Sequence, residues 1–142
     1  MIIGKWMKKN WPASTKIALV PAGIIPFYSE FNAIDLVGLN DTHIAHAQVP
    51  DFGKGRYQGH QKYDCTYVLL KKPDYILLGP CQLYGDTFTS SKFIHFLSKF
   101  AYLAPVTAKM QLRKDFKKNY RLKKIRISPR KNFFVFKRTK VR

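Results

Sequence analysis

The sequence predicts an α/β domain: a small sheet, two-layered or three-layer-like, with flanking helices and a C-terminal basic β-hairpin. Three observations support this. Short apolar runs bounded by Gly and Pro recur through the first half, separated by short stretches of helical character. One segment of the second half carries a strong helical stripe. The chain then closes on two strand-like runs around Ser128, Pro129 and Arg130.

Taken in order, Ile3, Trp6 and Met7 share a helical face with lysines opposite, and Pro12 stops that helix. Lys16 to Val20 reads as a buried strand, followed by Pro21-Ala22-Gly23 and a short helix. Ala33 to Val37, ended by Gly38, is a second strand, and Tyr75 to Leu78, closed by Gly79 and Pro80, a third; together they form a three-stranded apolar core element. A helix is expected around residues 62 to 72. Phe93, Phe96, Leu97 and Phe100 recur at helical spacing behind a Thr89 or Ser90 cap, and Pro105 limits that helix. Tyr120 to Ile127 and Asn132 to Lys137 are the hairpin strands. In the first of them the apolar parity slips between Leu122 and Ile125, and a bulge at Lys123 and Lys124 would keep both pairs inward. Phe133 and Phe134 must point to opposite faces, so at least one of them finds cover outside the main core or stays exposed.

The 142 residues suit one domain, 1–142, with no Gly/Ser linker or repeat to divide it. With 26 Lys and Arg against 8 Asp and Glu, the net charge of +18 points to an anionic neighbour. The charge is uneven. Residues 109–142 hold 15 basic residues and one acid, whereas 1–108 are nearly neutral at +4. Two cysteines, Cys65 and Cys81, are too few for a disulfide framework and lack zinc-site spacing. The longest apolar run, Ile17 to Tyr28, is too short for a membrane span and contains Pro21 and Pro26. The start lacks a secretory signal, so a chain beginning at Met1 is expected in the cytoplasm.

No motif calls for a cofactor. Only Gly23 stands where a dinucleotide fingerprint needs three glycines, and the P-loop, nucleophile-elbow and metalloprotease signatures are absent. Polar residues concentrate between Asp35 and Asp64. Asp35, Asn40, Asp41, His43, His46, His60 and Lys62 are the candidate ligand or acceptor surface, with Gly53 and Gly55 in the intervening loop. His43 and His46 at i, i+3 could ligate a metal with His60 and a carboxylate, which would suit a small metal-dependent hydrolase. Equally, Asp41 could cap a short helix and the imidazoles bond across loops.

The succession Pro21-Ala-Gly-Ile-Ile-Pro-Phe-Tyr-Ser29, Ile34-Asp-Leu-Val-Gly-Leu-Asn-Asp41, His43-Ile-Ala45, Gly59-His-Gln-Lys62 and Lys72-Pro-Asp-Tyr-Ile-Leu77 resembles the C-terminal soluble domain of bacterial polytopic membrane glycosyltransferases of the GT-C type, similar to arabinofuranosyltransferases and mannosyltransferases that use polyprenyl-phosphate sugars. The resemblance runs over residues 1–79, and the basic end from Tyr120 to Arg138 also resembles the terminal hairpin of such domains. It implies an extracytoplasmic domain at a bacterial inner membrane, packed on the transmembrane part of the transferase, near a lipid-linked donor and a glycan acceptor. The family's catalytic acid lies between N-terminal membrane helices that this sequence does not contain. The chain alone is therefore expected to be inert, and no catalytic role passes to Asp35 or Asp41.

The charge is expected to contact anionic lipid through Arg121, Lys123, Lys124, Arg126, Arg130, Lys131, Lys137 and Arg138. The rival reading is a nucleic-acid-binding module, in which those cations meet phosphates while Tyr120, Phe133, Phe134 and Phe136 stack on bases.

Overall fold

The computed structural model describes residues 1–50, 52–53 and 59–139; Gly55 of the glycine-containing loop lies outside them. The expected α/β architecture is present as a five-stranded mixed sheet of order β2-β1-β3-β5-β4. Strands β1 (Lys16–Leu19), β2 (Asn32–Asp35) and β3 (Tyr75–Leu77) are mutually parallel. The hairpin strands β4 (Tyr120–Ser128) and β5 (Lys131–Arg138) complete the sheet, β5 pairing antiparallel with β3 through Tyr75 and Lys137. The three apolar runs are thus one half of a larger sheet, and the basic hairpin is its other half. The second strand stops at Asp35, two residues before Val37, because Leu36 and Val37 turn into the loop that the Asp35 carboxylate holds.

Alternation along the strands feeds two cores. Ala18, Ile34, Ile76, Phe134 and Phe136 face one side, where α4 (Cys65–Leu70), α5 (Ser90–Phe100), α6 (Val106–Leu112) and α7 (Lys114–Asn119) pack with Val68, Phe93, Leu97, Met110 and Phe116. Ile17, Leu19, Leu77, Phe133 and Val135 face the other, covered by α1 (Ile2–Asn10) and α2 (Ile24–Ser29) through Ile3, Met7 and Ile25. The result is three layers. Phe133 accordingly finds its cover under Trp6, with ring centroids 5.7 Å apart, while Phe134 stacks on Phe93 at 4.5 Å.

The same two-sidedness corrects the expected bulge. Pairing is regular through Lys123 and Lys124, and the irregularity falls between Arg126 and Ser128, beside the turn. Tyr120 and Leu122 join the first core, and Ile125 and Ile127 pack against the second. Opposite parity is what a sheet with cores on both faces requires. The helix expected over 62–72 starts only at Cys65, where the Asp64 carboxylate accepts from Tyr67 N and caps it.

The topology fixes which loops meet. Because β1, β2 and β3 run in parallel, the segments after them leave at one end, the carboxyl end of the sheet. Helix α1 ends at the opposite, amino end, where Trp11 stacks on Tyr75 at 3.8 Å and 6°. It therefore starts toward the carboxyl end, and Gly4 lies against α2: a Cβ there would sit 2.8 Å from the Ile25 carbonyl oxygen. Since Lys137 pairs with Tyr75, the other end of β5 and the Pro129-Arg130 turn also project at the carboxyl end.

Candidate functional site: the cleft at the carboxyl end

The loop after β2 turns on Asp35. Its side chain is buried, and its two oxygens accept from Val37 N at 2.9 Å and Asn40 N at 2.7 Å. Asp35 is thereby a structural pin, and Asn40 is bound through its backbone. The loop delivers the chain to the short helix α3 (Thr42–Ala45), capped by Asp41 through Ile44 N at 3.0 Å.

Helices α3 and α4 are joined by reciprocal use of their cap carboxylates. Asp41 caps α3 with one oxygen and accepts the Tyr67 hydroxyl with the other, at 3.3 Å. Asp64 caps α4 with one oxygen and lies 2.9 Å from His43 Nε2 with the other. The His43 ring stacks on Tyr67 at 3.9 Å, closing the clasp. Burial pushes the Asp64 carboxyl up, but the Tyr67 amide and the His43 ring together outweigh it and hold the group below its ordinary value of 3.8.

Beside this clasp opens a cleft of about 830 Å³, lined by His43, His46, Gln48, Asp64, Lys109 and Arg113 among others. Arg113 is fixed by a bidentate pair with Asp115, at 2.9 and 2.7 Å, and by Thr66 Oγ1 at 2.9 Å. The buried Cys65 thiol is pushed up to about 11 by desolvation, so at neutral pH it is a thiol and not a nucleophilic thiolate. A cleft built this way presents imidazole, guanidinium, ammonium and amide donors around one carboxylate, which is chemistry for hydrogen-bonding a hydroxyl-rich or oxygen-bearing ligand.

Of the sequence candidates, His43 and His46 line the cleft, and Asp41 supports it from behind. The two histidines do not converge on a common point: His43 turns to Asp64, and His46 Nδ1 contacts the Thr42 carbonyl at 2.7 Å. Among the described residues no group of three or more His, Cys, Asp or Glu could hold a metal. Lys62 lies elsewhere, donating to the Ala47 carbonyl at 2.7 Å with its ammonium 4.3 Å from the Phe52 ring centroid. His60 does not line the cleft. Sequence reasoning missed Lys109 and Arg113, which arrive from distant α6 and its end; no local pattern marks them. Asp64 was recognisable, as an acid just before an apolar helical run.

The hairpin cations do not form one surface. Strand alternation puts Arg121, Lys123 and Lys137 on the α1 side, and Lys124, Arg126 and Arg138 on the other. Along β4, Arg121 to Arg126 also spread across about 17 Å. Several are engaged: Arg138 pairs with Asp74, Lys124 donates to the Asp86 carbonyl, and Arg121 to the carbonyls of Lys117 and Lys118. The aromatic side chains required for base stacking, Tyr120, Phe133, Phe134 and Phe136, are all buried, which removes the stacking platform of the nucleic-acid reading. Among the described residues no helix is long and apolar enough to cross a membrane.

The fold and cleft define an open α/β domain with a polar cleft beside the carboxyl ends of its parallel strands. The chain belongs to the family described as Domain of unknown function (DUF8728), whose family model matches residues 2–136. No curated protein and no solved structure matches it.

Proposed function

We propose that this domain is a non-catalytic, extracytoplasmic module of a membrane glycosyltransferase that uses lipid-linked sugars, and that its cleft receives the glycan acceptor while part of its basic hairpin faces anionic lipid. The observation that carries the reading is the convergence of three of the five segments bearing the resemblance. Pro21 to Gly23 after β1, and Leu36 to Asp41 with His43 to Ala45 after β2, leave the sheet at one end, where α/β domains bind their ligands. The polar donors of His43, His46, Lys109 and Arg113 there suit sugar hydroxyls and any acidic substituents.

Titration of the chain with cell-envelope oligosaccharides, followed by NMR, tests this. Shifts are expected at the imidazoles of His43 and His46 and at the Arg113 guanidinium, and Arg113→Lys should weaken them while leaving the spectrum folded. Absence of shifts at the cleft over the whole titration would refute the acceptor role.

A further inference from the structure

The carboxyl end carries a second feature, separate from the cleft. Ile24 and Phe27 of α2 are 58% and 76% exposed, Ile2 in the first turn of α1 is 45% exposed, and Leu39 in the loop after β2 is 60% exposed. Ile24 and Phe27, at i, i+3, share one face of α2; α1 packs on that helix where Gly4 abuts Ile25 and Tyr28, Phe27 contacts the Tyr28 ring edge-on at 5.1 Å, and Lys5 holds its ammonium 5.3 Å from that ring. Large apolar side chains displayed at one end and edged by cations are the mark of an interaction surface.

The surrounding charge identifies the occupant. Lys5 borders the apolar residues, and Arg126, Arg130 and Lys131 at the hairpin tip project at the same end. Among the described residues the acids there are engaged in hydrogen bonds: Asp35 is buried in its turn, Asp41 and Asp64 cap helices, and Asp86 accepts from Asn132 at 2.8 Å. Protruding apolar side chains among basic ones complement the interface of an anionic bilayer, where rings and alkyl groups enter the acyl boundary and ammonium groups stay with the headgroups.

We infer that the carboxyl end of the sheet docks onto an anionic lipid bilayer, with Ile24 and Phe27 inserted and the hairpin tip on the headgroups. This deepens the membrane side of the proposed function and is independent of the glycan. It also selects among the hairpin cations: Arg126, Arg130 and Lys131 face the lipid, whereas Arg121, Lys137 and Arg138, at the amino end, do not.

Co-sedimentation of the full chain with phosphatidylcholine vesicles, with and without phosphatidylglycerol, at low and high salt, tests the inference. The chain should bind the anionic vesicles and keep a salt-resistant remainder. Ile24→Ser with Phe27→Ser should abolish that remainder. Arg130→Glu with Lys131→Glu should weaken binding roughly 30-fold or more, the equivalent of about 1 kcal/mol for each cation lost. Lys117→Glu with Lys118→Glu changes the net charge equally at the amino end and should alter binding only within about twofold, because those residues lie beyond a Debye length from the surface. Thermal unfolding confirms that each variant is folded. Failure to bind anionic vesicles, equal loss from both charge-reversal pairs, or unchanged binding by the serine variant overturns the docking mode. A wild-type dimer in sedimentation velocity that the serine variant dissociates does so too, by assigning the patch to self-association. Lost vesicle binding with intact glycan shifts refutes docking alone, and the reverse result refutes the acceptor role alone.

Discussion

Gly38→Ala is the sharpest probe of how the fold positions the cleft. Gly38 follows β2 with φ of +80°, in the left-handed region where an L side chain costs about 1–2 kcal/mol. A Cβ there would also meet backbone: Ala45 N at 2.7 Å, Ile44 C at 2.9 Å and Ala45 Cα at 3.0 Å. Those atoms belong to the end of α3, so relief requires shifting the helix, at an overpacking cost of about 1–3 kcal/mol. The sum is about 2–5 kcal/mol. Urea unfolding should show it as a lower midpoint at unchanged slope, and NMR should show the His43 imidazole displaced, because α3 carries that ring into the Asp64 clasp. Gly23→Ala is the matched control: its φ is −95° and nothing lies within 4 Å of an added Cβ, so it should change stability by less than about 1 kcal/mol. If Gly38→Ala proves no more costly than Gly23→Ala, the reasoning from φ and close approach is wrong.

Phe133→Ala and Phe134→Ala should each cost about 3–5 kcal/mol, but only the first should change tryptophan fluorescence. Phe133 lies within 5.7 Å of Trp6 and 6.2 Å of Trp11, whereas Phe134 contacts Tyr84, Phe88 and Phe93; an equal emission shift in both variants would contradict two separate cores. Asp64 makes a pH prediction. Its folded pKa is depressed, so its stabilisation is fully present above the ordinary value of 3.8 and is lost as pH falls through the lower folded value. Asp64→Asn retains an oxygen for the cap and should flatten the acid limb of unfolding midpoint against pH; an unchanged limb would show that the clasp carries no linkage.

The elements visible in the sequence are those whose signals are local. The stripe of Phe93, Leu97 and Phe100 marks α5 within its own turns, Pro12 ends α1, and Gly38 and Pro80 punctuate the strands. The bulge expectation failed because parity was judged against a single core. Once Ile125 faces α1 and Leu122 faces α7's side, the slip needs no extra residue. The candidate site was legible in the same proportion. His43 and His46 stood in a polar run, and both line the cleft, while Lys109 and Arg113 come from elements more than 60 residues away that only tertiary packing brings near. Net charge was equally blind to geometry: it counts Arg121 and Arg130 alike, although the sheet sends them to opposite ends.

That separation of ends explains where function can reside. The amino end carries the ties between strands. Asp74 accepts from Lys16 N at 2.9 Å, its backbone carbonyl accepts from Arg138 N at 2.8 Å, and its carboxylate also pairs with the Arg138 guanidinium, so one residue ties β1, β3 and β5. Tyr120 adds a buried hydroxyl bond to the Pro73 carbonyl at 2.9 Å, and desolvation pushes that phenol up to about 12, keeping it a neutral donor at any physiological pH. With register secured there, the loops at the carboxyl end are released from holding the sheet together. They can leave Phe27 and Leu39 in solvent and hold His43 and Arg113 apart across a cleft without loss of the fold. An end that tolerates exposed aromatic and aliphatic side chains beside open polar donors is organised for contact with something outside the chain.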